Sequence, residues 1–241
     1  MNLVQLLKRS ARAAGFEVHR YNPVRSLDAR FFHLLGVHAV DGVFDVGAND
    51  GQFGTYLREG GYAGPIVSFE PLEEPHRLLT ERARTDPGWS VAPRGALGAE
   101  PGVVQMQVAG NSTSSSLLPM LSSHIDAAPY TAPVGTQEVH VRRLDDIEPA
   151  SAAGWRRALL KIDTQGYEMP VLQGATATLT RCAGVQVEMS LVPLYEGQAL
   201  YLELTEWLLE HDFALWGVLP GFCDPRSGRL LQMDGLFFRN R

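Results

Sequence analysis

The sequence holds only two cysteines in 241 residues, Cys182 and Cys223, which supply neither a disulfide framework nor a CxxC metal or redox pair. Both read as indifferent thiols of a reducing compartment. No apolar run approaches the roughly 18 residues of a membrane span. The N-terminal MNLVQLLKRSARAAG has too short an apolar core, and charges in the wrong place, for a secretory signal. A soluble, cytoplasmic protein with no membrane span is therefore expected. Positive charge is also in short supply. The net charge of −6 and pI near 5.6 give no support for a nucleic-acid partner. There is no internal repeat and no dedicated metal-ligand spacing. A 45% hydrophobic content, by contrast, is enough for a sizeable core, and the length suits one α/β domain.

Within that frame, strand-like and helix-like segments alternate. Residues 3 to 14 place Leu3, Leu6, Leu7 and Ala14 at helical spacing, with Lys8, Arg9 and Arg12 on the other side. A second helix is predicted over 27–37, with Gly36 as its C-cap. Residues 1–40 thus read as an N-terminal helical extension, which could pack a second copy of the chain. Over 41–241 strands are predicted at about 42–46, 66–69, 89–92, 103–108, 158–163 and 185–190, with closing strands at 213–218 and 230–239, and 139–147 reads as a short strand followed by a turn or helix start. Helices are predicted at about 51–60, from Pro71, at 167–180 and at 199–210. A Ser/Thr/Pro-rich stretch, about 110–137, interrupts this rhythm and reads as an insertion lying over the sheet edge. The expected fold is a Rossmann-like, doubly wound α/β domain. Its seven-stranded sheet is mostly parallel with an antiparallel final strand, in a single domain spanning 1–241.

The chemistry concentrates where strands end. VFDVGANDG (43–51) joins an apolar strand carrying Asp45 to a loop with Gly47, Ala48, Asn49 and Gly51, a turn that exposes backbone N–H groups at a helix start. IVSFEP ends in Glu70, at the spacing where an acid meets a ribose hydroxyl in nucleotide-binding βαβ units. The loop is not the dinucleotide fingerprint. Asn49 stands where G-x-G-x-x-G needs its middle glycine, and Asp45 would repel a pyrophosphate. An acid there suits a cofactor with an ammonium group, a ribose diol and no phosphate, and S-adenosyl-L-methionine has all three properties. An NAD-linked oxidoreductase and a non-catalytic cofactor-binding module are the alternatives.

VFDVGANDGQF, SFEP and above all KIDTQGYEMPVLQGA (Lys161 to Ala175) resemble the FkbM family of S-adenosylmethionine-dependent methyltransferases over about 40 to 240. The resemblance implies methyl transfer to a hydroxyl of a small polar acceptor, a sugar or a glycosylated or secondary metabolite. It implies that the glycine loop lines the cofactor, that Asp45 sits near the methionine end and that Glu70, followed by Pro71, takes the ribose. Gly95 to Leu97, with Ala96 and Leu97 foremost, would flank the adenine. Asn111–Leu117, including Ser115, would lie near the reaction centre. Where many members carry glutamate this chain has Gln165.

An alcohol is a poor nucleophile until its proton is taken, so a positioned base is expected. Asp163, at the end of its strand, is the first candidate for that base and also for cofactor contact, and Glu188 is the second. Asp163 as a helix N-cap is the structural alternative. Glu168 could pair with Lys161. His124 and His140 are further bases, and Tyr130, Tyr195 and Trp216 candidate walls of the acceptor pocket. Two carboxylates in one crevice could also hold Mg2+.

Overall fold

In the computed structural model, which describes residues 3–147 and 152–240, the chain divides into two units, Met1–Val37 and His38–Arg241. The first holds helices α1 (Leu3–Ala13) and α2 (Leu27–Val37). Between them the Asn22 side chain accepts from the backbone N–H groups of Val24 and Arg25, and Ser26 caps α2 by accepting from the N–H of Ala29 at 3.2 Å. Gly36 does not end α2 as expected. It lies within the helix and is not among the glycines of positive φ.

The second unit begins with β1 (Val43–Val46), α3 (Gln52–Glu59), β2 (Ile66–Phe69), α4 (Glu73–Ala83) and β3 (Trp89–Val91). Three strands then stand apart: β4 (Ala96–Leu97), β5 (Gly102–Ala109) and β6 (Pro133–Arg142) form their own sheet in the order β4-β6-β5. Between β5 and β6 lies α5 (Ser122–Ala127) with two short 3-10 turns. The chain returns to the main sheet with β7 (Ala158–Ile162), α6 (Glu168–Gln173), α7 (Thr176–Leu179), β8 (Cys182–Ser190), α8 (Tyr201–Glu210), β9 (Phe213–Pro220) and β10 (Gln232–Arg239).

The main sheet has seven strands in the order β3-β2-β1-β7-β8-β10-β9. It is parallel from β3 to β8, and β10, last in the chain, runs antiparallel to both its neighbours. This is the predicted Rossmann-like architecture. Every residue of β1, β2 and β7 is buried, which explains why those segments are mostly apolar rather than alternating, each with a single polar residue (Asp45, Ser68 and Lys161). Phe44, Leu160 and Val185 of the sheet share one core with Leu172 of α6, Leu179 of α7 and Leu204 of α8.

Two expectations are corrected. The interruption ends at 132, because residues 133–137 are the start of β6 and pair with β5. The helix predicted over 167–180 breaks into α6 and α7. Asp145 causes the break: its N–H takes the carbonyl of Gly174, and its carboxylate caps the N–H groups of Ala177 and Thr178 at 3.0 and 2.8 Å. Since β1, β2, β7 and β8 are parallel, their carboxyl ends open on one edge, where ligands bind in open α/β sheets.

Candidate active site

The loop after β1 is shaped by two left-handed glycines. Gly47 has φ +73°, and a Cβ there would drive into the backbone carbonyl of Asp163. Gly51, at φ +95°, opens α3 over Trp89 and Leu79. Asn49 also takes positive φ, 47°, a conformation that asparagine tolerates better than most side chains. Its N–H donates to Glu70 Oε2 at 2.9 Å, and Glu70 Oε1 accepts from the N–H of Leu72 at 2.8 Å. The Glu70 carboxyl thereby clasps the glycine loop to the start of α4. Burial pushes it up to about 7, although both backbone donors and Lys161 pull the other way.

Beneath the loop lies a buried polar chain. Trp89 Nε1 donates to Ser68 Oγ at 3.0 Å, and Ser68 Oγ donates to Asp45 Oδ2 at 3.0 Å. Asp45 Oδ1 faces the Lys161 ammonium at 3.2 Å, and that ammonium donates to the Gly47 carbonyl at 3.1 Å. Burial opposes the lysine's charge, but the carboxylates of Asp45 and Asp163 outweigh it and raise its pKa above the usual lysine range. Asp45 is fully buried and does not line the cavity above it. Its ammonium partner is Lys161.

That cavity, about 310 Å³, is walled by Gly47, Ala48, Asn49 and Glu70 on one side and by Pro71, Ala96 and Leu97 on another. Phe53 and Tyr56 of α3 and Ser115 complete the wall, and Asp163 and Asp234 reach it from β7 and β10. Gly51 stays beneath, as a packing position. Lys161 is the one Lys or Arg side chain among the described residues of the lining, and Asp45 already neutralises it. Such a wall has no cation to offer a pyrophosphate. Its residues could hold a nucleoside joined to an amino acid, with Glu70 available to a ribose, an apolar slot to a base and carboxylates to an ammonium group.

A second cavity of about 260 Å³ adjoins it, and Thr113, Asp163 and Gln165 belong to both linings. Gln165 is the organiser here. Its side-chain N–H2 donates to Asp163 Oδ1 at 2.9 Å and Glu188 Oε2 at 2.8 Å, while its Oε1 accepts from Tyr195 O–H at 2.8 Å. Ser116 Oγ holds its backbone carbonyl at 2.6 Å, fixing a residue of φ +55°. Burial, then the neighbouring Asp163, Glu168 and Asp234, push the Glu188 carboxyl well above the ordinary range. Burial, then Asp163, raise Asp234 to about 6. Ser112 Oγ donates to Asn49 Oδ1 at 3.2 Å, so the serine-rich segment is tied to the glycine loop.

Glu188 and His124 line the second cavity rather than the first, and His140 is exposed on β6, away from both. Tyr130 borders the second cavity. Tyr195 is buried behind Gln165, and Trp216 lies on β9 outside both. Asp163 caps no helix, because α6 starts at Glu168 with Tyr167 before it. Among the described residues no group of three or more His, Cys, Asp or Glu side chains is placed to hold a metal. Nor is any helix among them long and apolar enough to cross a membrane. Phe53, Tyr56, Gln186 and Asp234 were not anticipated. An acid inside the apolar QMDGLFF was the available signal for the last of them.

Glu168 does not pair with Lys161. It is buried, and its Oε1 accepts from the N–H groups of Thr164 and Gly166, both at 3.0 Å. Burial lifts it from 4.5 to about 7. The proton favours the fold below 4.5, and that contribution is lost as pH rises through 7. Glu168→Gln keeps the accepting oxygen without the charge. Urea unfolding at pH 8 should find the variant more stable by on the order of 2 kcal/mol, with the gain shrinking as pH falls through 7 and gone below about pH 4. A destabilised variant at pH 8 would contradict this account.

Comparison with known proteins agrees with the geometry. The chain matches a family model described as the methyltransferase FkbM domain over residues 45–215. No curated protein matches it. Among solved structures, TrmK of M. capricolum, determined with S-adenosyl-homocysteine, is 8% identical with TM-score 0.48, covering 87% of this chain and 69% of that one. Sp1610 of Streptococcus pneumoniae, provisionally named a tRNA (m1A22) methyltransferase and determined with S-adenosyl-L-methionine, is 10% identical with TM-score 0.48, covering 88% and 73%. A Pyrococcus horikoshii protein, PH1948, provisionally named an RNA methyltransferase, is 12% identical with TM-score 0.46, covering 89% and 84%. The family match starts at Asp45 and takes in both cavities' shared wall, so the chain belongs to the FkbM family of S-adenosylmethionine-dependent methyltransferases.

Proposed function

We propose that the protein transfers a methyl group to a hydroxyl of a small polar acceptor, of the sugar or glycosylated-metabolite kind. The observation that carries this reading is the pair of cavities sharing Thr113, Asp163 and Gln165: a largely apolar one with a ribose-type acid, and a polar one beside it. Bound S-adenosylmethionine supplies an electrophilic methyl on a sulfonium. Glu70 accepts from the ribose hydroxyls, while Gly47, Ala48 and Asn49 leave room for the ligand against bare backbone.

Asp163 is the general base. The Gln165 amide holds its Oδ1, and Lys161 stands 3.8 Å from Oδ2, so the carboxylate keeps one orientation at the wall common to both cavities. Alignment of the acceptor oxygen supplies much of the remaining acceleration. The names of the compared structures raise a nucleic-acid acceptor. A net charge of −6 and an acceptor cavity without Lys or Arg among its described lining favour the small-molecule reading.

Asp163→Asn should lower kcat by roughly 10²–10⁴-fold while calorimetry finds S-adenosylmethionine affinity within about threefold of the parent. Formation of S-adenosylhomocysteine over a panel of sugars, glycosides and tRNA gives the readout. Turnover with tRNA alone would overturn the acceptor class. Cofactor binding with no acceptor methylated would favour a non-catalytic module, and binding of NAD instead would remove the whole proposal.

A further inference from the structure

We propose that the second cavity is built for an acceptor carrying an ammonium group beside its hydroxyls, an amino sugar or aminocyclitol, in preference to a neutral or anionic one. This rests on the methyltransferase reading above and names the substrate class for the same site. Besides the residues shared with the cofactor cavity, the chamber's lining includes Asn111, His124, Tyr130, Glu188, Phe222 and Gln232, with Ser114, Ala128 and Thr131 between them. Among the described residues no Lys or Arg faces it. Its volume of about 260 Å³ suits a single small ring.

The hydrogen-bonding capacity left over in the chamber is mostly accepting. The three side-chain amides of the lining are each engaged as donors: Gln165 and Gln232 both give N–H to Glu188 Oε2, at 2.8 and 2.7 Å, and Asn111 gives N–H to Thr113 Oγ1 at 2.8 Å. Asn111 Oδ1 and His124 Nδ1 are buried without a partner among the described residues, and His124 is only 2% exposed. Burial holds the imidazole toward its neutral form, so it does not supply the missing positive charge. Glu188 Oε1 accepts nothing from the described residues. The Asn111 oxygen and the second Glu188 oxygen are satisfied by a ligand that brings N–H and O–H donors, and His124 Nδ1 accepts as well in the tautomer protonated at Nε2.

Charge points the same way. Burial disfavours the ionised form of Glu188, and the surrounding Asp163, Glu168 and Asp234 add to that. Lys161, the nearest cation, faces Asp45 and the cofactor cavity instead. A ligand ammonium would relieve the repulsion and let Glu188 ionise. A phosphate or carboxylate would add to it. Phe222 and the exposed ring of Tyr130 offer aromatic faces to the same cation.

The test uses the full chain saturated with S-adenosylhomocysteine, titrated calorimetrically with glucosamine, glucose, N-acetylglucosamine and glucose 6-phosphate. Glucosamine should bind about tenfold or more tightly than glucose or the N-acetyl sugar, and the phosphate most weakly. Glu188→Gln should erase that preference. Tyr130→Lys, a change at an exposed position that leaves the core untouched, should erase it too, whereas Tyr130→Gln should keep most of it. Equal affinity for glucosamine and glucose, absence of sugar binding, or a preference that survives both charge-altering variants would overturn the proposal. Failure of S-adenosylhomocysteine to bind in the preceding titration would instead overturn the cofactor reading beneath it.

Discussion

Gly47→Ala is expected to remove S-adenosylmethionine binding and to destabilise the protein by about 3 kcal/mol or more. Two independent effects add at this position. The backbone stands at φ +73°, where any L side chain is strained, and the new methyl would meet the carbonyl of Asp163. Neither side can retreat. The N–H groups of Gly47 and Ala48 both donate to the Phe69 carbonyl, at 3.1 and 3.0 Å, and the N–H of Asp163 donates to Val46 at 3.1 Å. Gly61 separates the contributions: its φ is +89° but nothing lies within 4 Å of a Cβ there. Gly61→Ala should therefore cost only about 1 kcal/mol, the strain alone. Urea unfolding of both variants, with calorimetry on the first, checks the pair. A Gly47→Ala protein with parental cofactor affinity would refute the account of the loop.

Lys161→Met should cost about 3–5 kcal/mol, because it strands a fully buried carboxylate. Asp45 would keep only the Ser68 hydroxyl, and the Gly47 carbonyl would lose its donor at the same time. The loss should fall on stability and on cofactor binding together, since Gly47 lines the cavity proposed to hold the cofactor. Asp45→Asn in the same chain removes the uncompensated charge. The double variant is expected to recover at least about half of the stability lost by the single one. If Lys161→Met unfolds within about 1 kcal/mol of the parent, the ion pair is not what holds the loop.

The fold could be read from the chain because its evidence is local. IVSF and ALLKI are short apolar runs between turn residues, and the run of strands and helices in order already implies a parallel sheet. The glycine loop and Glu70 could be read for the same reason, since their chemistry sits within one strand–loop–helix unit. What stayed hidden depends on which strand lies beside which. Lys161 looked like a partner for Glu168, seven residues on. The sheet instead sets β7 against β1, with Lys161 directly opposite Asp45 in register. Asp234 and Glu188 are likewise opposite one another across β10 and β8. Neither pairing leaves a trace in sequence spacing. The break between α6 and α7 was hidden too, because its cause, Asp145, lies before β7.

The position of β1 has a consequence for how this protein comes off the ribosome. One flank of β1 pairs with β2, which follows almost at once, but the other pairs with β7, which begins only at Ala158. Until that point a nascent chain carries a mostly apolar strand with an open edge, the kind of surface that recruits other strands. The intervening β5–β6 pairing is between near neighbours and can close early, so it is expected to form before the centre of the main sheet does. A fragment ending at residue 147 would accordingly keep the glycine loop in its sequence and lack its floor. Fragments of that length should aggregate, while chains that extend through β8 should first become protected from proteolysis across β1.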